Sequence, residues 1–79
     1  MFNSSSYEKL LSDFVLKVAT YSYNKKVKEY NKEHEVPSTD LLEAQAAAMA
    51  LKTELLLLPP GAQSKMLLQR IEEILKTGN

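Results

Sequence analysis

"LLEAQAAAMALKTELLLLPPG", Leu41 to Gly61, is the most apolar stretch of the 79-residue chain, and its reading decides the fold. It is open to three assignments: a membrane span, the core of a small helical domain, or a surface built for another protein. As a span it falls short. From Ala44 to Leu58 it covers about 15 residues where roughly 20 are needed, and Lys52 and Glu54 interrupt it. A soluble helix remains. Its start is marked by Pro37 and the capping cluster "STD", its end by the break "PPG" at Pro59 to Gly61.

This helix carries two apolar seams. Leu41, Ala44, Ala48, Leu51, Leu55 and Leu58 step by three and four, as coiled-coil core positions do. Leu42, Ala46, Met49, Thr53 and Leu56 follow a second line. At 100° per residue the two lie roughly 155° apart. Seams on nearly opposite sides predict a central helix between layers, with an open arrangement that leaves apolar edges uncovered. The neighbours in those layers are either helices 1 and 3 or a second chain. Ala47 lies off both seams.

After the break, "AQSKMLLQRIEEILK" predicts an amphipathic third helix. Leu67, Leu68, Ile71, Ile74 and Leu75 fall within about 120°, with Lys65, Gln69, Glu72, Glu73 and Lys76 opposite. Glu72 and Lys76 have the spacing of a helix-stabilising ion pair. The neighbouring carboxylates Glu72 and Glu73 read as solvated, since a raised catalytic pKa requires burial. Gly78 is placed as the residue just beyond the helix end. The short connection between helices 2 and 3 predicts an antiparallel hairpin.

Before the stretch, Ser5 and Glu8 have capping-box spacing and open a long first helix. Its core stripe is Tyr7, Leu10, Leu11, Phe14, Val18 and Tyr21. That line then meets Lys25, Lys28 and Lys32. Another takes over, Leu16, Tyr23, Val27, Tyr30 and His34, rotated by roughly 170°. The changeover falls in "ATYSYN", a run of weak helix formers that would accommodate a kink or break near Ser22. Two arrangements follow. Either the second half overhangs the hairpin and offers Tyr23, Val27 and Tyr30 to a partner, or the helix breaks and these residues fold back into the core.

The sequence thus predicts an all-α fold in one domain over residues 1–79. Its helices fall at about 6–34, 39–58 and 61–77, with helix 1 long and either continuous or kinked near residue 22. Ten Lys/Arg against ten Asp/Glu give zero formal charge, which argues against a strongly basic nucleic-acid binder. The absence of Cys removes disulfides and thiolate metal sites and fits a cytoplasmic location; the opening "MFNSSSYEKLL" has no secretory pattern. His34, alone among acids, lacks companions at metal-ligand spacing. No nucleophile–base pair, phosphate loop or nucleophile elbow is present, so neither catalysis nor a cofactor nor a small-molecule substrate is expected.

The expected function is that of a non-enzymatic helical module, of the adaptor, co-chaperone or inhibitor-like kind, that binds another protein or itself. The candidate partner-binding residues are Tyr23, Val27 and Tyr30 on helix 1 and Leu41, Ala44, Ala48, Leu51 and Leu55 on helix 2. The alternative is a small nucleic-acid-associated regulator, with Lys25, Lys26, Lys28 and Lys32 on phosphates and tyrosines stacking on bases.

Overall fold

A computed structural model describes residues 4–33, 38–59 and 61–77. They form three helices: α1 (Ser4–Tyr30), α2 (Ser38–Leu55) and α3 (Ala62–Lys76). The expected all-α fold is observed. Helix α2 packs against both neighbours, whereas α1 and α3 scarcely touch. Both neighbours run antiparallel to α2. Asn24 meets Asp40 and Lys17 meets Glu43 on the α1 side, while Gln45 meets Ile74 and Lys52 meets Glu72 on the α3 side.

The core is Phe14 and Tyr21 from α1, Leu41, Ala44, Ala47, Ala48, Leu51 and Leu55 from α2, and Ile71 and Ile74 from α3. Tyr7, Leu10, Leu11, Val18, Leu67, Leu68 and Leu75 pack around it, half-buried. Ala44, Ala48 and Leu51 are 0% exposed, so small side chains in mid-helix allow α1 and α3 to approach α2 closely. No polar or charged residue is buried among the described residues.

Two expectations change here. The opposed seams do not each receive a neighbour. Both α1 and α3 pack on the first seam's side, and the second seam faces solvent. Ala47, expected off both seams, is buried. The cause is the position of α1, which lies towards Asp40 and Glu43 through Asn24 and Lys17; Ala47 stands one turn beyond Glu43 on that same side. Ala47→Leu would therefore overpack a contact, not fall into free space.

Helix α1 continues without interruption through "ATYSYN". Thr20 turns its hydroxyl back to the Leu16 carbonyl at 2.9 Å, which accommodates a weak helix former inside the helix. At about 1.5 Å per residue, α1 is roughly 40 Å long and accounts for the long axis of the 47 × 20 × 17 Å molecule. It ends at Tyr30, four residues before the expected boundary. The end is a Schellman motif: the Glu33 N–H reaches the Lys28 carbonyl (2.8 Å) and the Lys32 N–H reaches that of Glu29 (3.0 Å).

Lys32 takes the left-handed conformation that this motif requires, with φ 61°. Glycine is the usual residue there because a Cβ crowds the carbonyl. Lys32→Gly is expected to raise stability by about 0.5–1 kcal/mol, the relief of that strain less the extra freedom of the unfolded glycine chain. Urea denaturation checks the sign. No change, or a loss, would mean that the lysine side chain contributes as much as the strain costs.

Helix α2 tightens as it ends. Leu57 and Leu58 donate to the carbonyls of Glu54 and Leu55, i to i−3 bonds, and Pro59 has no N–H with which to continue. Gly61 caps α3 through its carbonyl, which accepts from the Lys65 N–H at 2.9 Å. Helix α1 begins one residue before the expected cap Ser5, whose side chain lies outside the described residues, as do Pro37, His34 and Gly78.

The far end of α3 is capped from α2. The Gln45 amide nitrogen is 3.1 Å from the carbonyl oxygens of both Ile74 and Thr77 and 3.5 Å from that of Leu75. It supplies a donor to a helix end whose carbonyls have no further turn to bond. Gln45→Ala is expected to lose about 1 kcal/mol. Gln45→Glu should lose more, because a carboxylate cannot donate and faces the negative end of the helix dipole. Equal urea midpoints for the two variants and the parent would remove this cap from the account of the hairpin.

Candidate interaction surfaces

Contact between α1 and α2 stops near the start of α2. Asn24 donates to the Asp40 carboxylate at 2.7 Å, and Asp40 is in the first turn of α2. Helix α1 nevertheless runs on to Tyr30, about 9 Å further at 1.5 Å per residue. Tyr23, beside that contact, is 70% exposed, and on the end beyond it Val27 is 39% and Tyr30 88% exposed. Leu16, also exposed, lies on the same line one helix face away from the core. The change of stripe seen in the sequence is therefore a continuous helix that turns one apolar face to α2 and a second to solvent.

The second face joins a groove. Because α1 and α3 both pack on α2 and scarcely touch each other, a hollow of about 490 Å³ opens between them, walled by Phe14, Val15, Val18, Leu67 and Ile74 with Arg70 at its rim. A second hollow of about 300 Å³ continues it towards Tyr7, Leu11 and Met66, sharing Leu67 and Arg70. Val15 and Ala19 line the groove's α1 edge and lead round the helix to Leu16 and Tyr23.

The candidate residues divide into two sets. Tyr23, Val27 and Tyr30 are at the surface. Leu41, Ala44, Ala48, Leu51 and Leu55 are covered within the chain by α1 and α3, so a partner could reach them only if the helices separated. Exposed instead are Leu42 and Met49 on α2 and Leu56 and Leu57 in the turn that follows it. The groove has no signature in the sequence. Val15 and Met66 each sit beside a core stripe, but periodicity within one helix does not report the angle between two others.

Charged contacts border the core. Lys52 and Glu72 pair at 2.7 Å and Lys17 and Glu43 at 3.8 Å, all four partly solvated, so water screens both pairs and they orient the helices more than they stabilise them. Hydrogen bonding and charge attraction from Lys52, with a smaller contribution from Lys76, hold the Glu72 carboxyl below the ordinary glutamate range. Glu72 thus ties α3 to α2, a cross-helix role that its own helix did not suggest.

The expected basic set does not line up. At 100° per residue Lys25, Lys26 and Lys28 spread over roughly 160° of α1, with Glu29 between them. Lys32 lies beyond the helix in the terminal turn. Among the described residues no three His, Cys, Asp or Glu side chains gather as a metal ion would require, and no helix is long and apolar enough to cross a membrane. No protein-family model matches the chain, and no curated protein or solved structure is significantly similar to it.

Proposed function

We propose that this chain is a non-enzymatic helical interaction module that docks another protein on the outer face of α1, with Tyr23, Val27 and Tyr30 as anchors. The observation that carries this reading is the exposure of two tyrosines and a valine along one face of α1, Val27 and Tyr30 on the part that runs on past the Asn24–Asp40 contact. Exposed aromatics set among lysines have the composition of a binding hot spot with a polar rim. A partner helix laid along this face would bury the line Leu16–Tyr23–Val27–Tyr30 and reach the groove through Val15 and Ala19, the helix-in-groove mode. Spread around the helix and interleaved with Glu29, the lysines serve such a rim better than they would track a phosphate backbone.

A photoreactive phenylalanine analogue in place of Tyr23 tests the assignment in a nuclease-treated lysate of the native host. One defined protein adduct is expected, and it should be lost when the analogue is moved to exposed Gln69 on α3. Adducts to nucleic acid alone before nuclease treatment would replace this reading with the basic-segment one. The same adducts from both positions would remove α1 as the docking face.

A further inference from the structure

The outward half of α2 is the least ordinary surface of the molecule. Asp40, Glu43, Lys52 and Glu54 all lie on the side that faces α1 and α3, where Asp40, Glu43 and Lys52 bond to neighbours. At 100° per residue the opposite half-circumference, roughly 180° wide, carries no charge from end to end. A surface helix ordinarily turns its polar and charged face, not an uncharged one, to solvent.

The stripe at its centre is Thr39, Leu42, Ala46, Met49, Thr53 and Leu56, spaced three and four apart, and every member is exposed. Leu42 and Leu56 are each 66% and Met49 52% exposed. In heptad terms the residues at one core position are all small (Thr39, Ala46, Thr53), and those at the other are all large (Leu42, Met49, Leu56).

We infer that this stripe is the seam of an antiparallel homodimer, in which α2 packs on α2 of a second copy about a two-fold axis between Ala47 and Ala48. Antiparallel pairing sets one core position against the other. Leu56 then faces Thr39 of the second copy, Leu42 faces Thr53 and Met49 faces Ala46, so every layer joins a large side chain to a small one. A parallel pair would stack large on large and small on small. The axis falls at the middle of α2, so the whole helix is used, and a two-fold arrangement makes the patch self-complementary. The Thr53 hydroxyl already donates to the Met49 carbonyl at 3.1 Å, so its burial leaves no donor unpaired. The seam brings no like charges face to face, and the chain's zero net charge adds no long-range repulsion.

The second copy is favoured over a foreign helix because the large-and-small alternation matches its own reverse. A face about 27 Å long and about 10 Å wide is small for a specific interface, which places the dimer in the weak class, below about 1,200 Å². This seam is separate from the docking face on α1, so either assignment stands if the other fails.

Sedimentation equilibrium of the full chain between roughly 1 µM and 1 mM, the range that suits a weak interface, is the test. The parent is expected to pass from monomer to dimer within it. Met49→Glu should remain monomeric with an unchanged melting curve, since Met49 is half-exposed in the monomer. Ala46→Leu should weaken the dimer at least tenfold by placing large on large, whereas non-specific apolar sticking would grow stronger. The chain has no cysteine, so orientation is readable directly. Chains carrying Leu42→Cys should form disulfides with chains carrying Thr53→Cys, and not with one another. A parent that stays monomeric to 1 mM, a Met49→Glu dimer, a stronger Ala46→Leu dimer, or efficient Leu42→Cys self-linking would each overturn the inference.

Discussion

Leu51→Ala is expected to lose about 2–5 kcal/mol and to leave the chain largely unfolded at 37 °C. Leu51 is 0% exposed in the second half of α2, on the seam that both neighbours cover, and with Ile71 it is the largest fully buried side chain. Truncation removes its transfer free energy and leaves a cavity. Three helices touching along one line have little means of closing it, since α1 and α3 do not brace one another. A chain of this length has a total stability of roughly 4–12 kcal/mol, and the small size and single core favour the lower part of that range. Leu42→Ala, nine residues away on the opposite seam, makes the control. Leu42 is 66% exposed, so its truncation in dilute solution should stay within about 0.5 kcal/mol of the parent. Urea midpoints for the two variants decide the assignment of the seams. Similar losses at both positions would mean that the second seam is also covered within the chain.

The contrast between Leu51 and Leu42 also marks how far the sequence can be read. Both seams are visible as heptad spacing and both read as core, within the chain or shared with a partner, because the spacing records which residues share a face. Which face receives neighbours depends on how the two connections aim α1 and α3. That information sits in contacts such as Asn24–Asp40 and Lys52–Glu72, and no single helix displays it. The burial of Ala47 and the groove between α1 and α3 escape a reading by periodicity for the same reason.

The helix ends are legible where proline or an N-cap cluster acts locally. The end of α1 is less so, because Lys32 occupies a position that glycine would have advertised. The cap that Gln45 provides for α3 joins residues about thirty apart in the chain, and no local spacing announces it.

Tyr23→Ala, Val27→Ala and Tyr30→Ala combined are expected to abolish partner binding while leaving the melting curve of the isolated chain where it was, or slightly higher. Tyr23 and Tyr30 are largely in water and Val27 is 39% exposed, outside the buried core, so their removal opens no core cavity. Alanine is also the better helix former by a few tenths of a kcal/mol at each interior position, which offsets the little packing these side chains have in the monomer. The effect on binding should be large. Central aromatic anchors typically cost about 2 kcal/mol or more each when truncated, so the triple change takes a micromolar complex out of the measurable range. Circular dichroism melts of variant and parent decide the first half before any partner is identified. In a domain this small a loss of 1 kcal/mol lowers Tm by about 4–8 °C, so even one misassigned residue would be seen. A fall of tens of degrees would show that these residues complete an internal core, and that the projecting end of α1 folds back in solution. An unchanged melt with binding retained would place the partner elsewhere, with the groove walled by Phe14, Val18 and Leu67 the next surface to test.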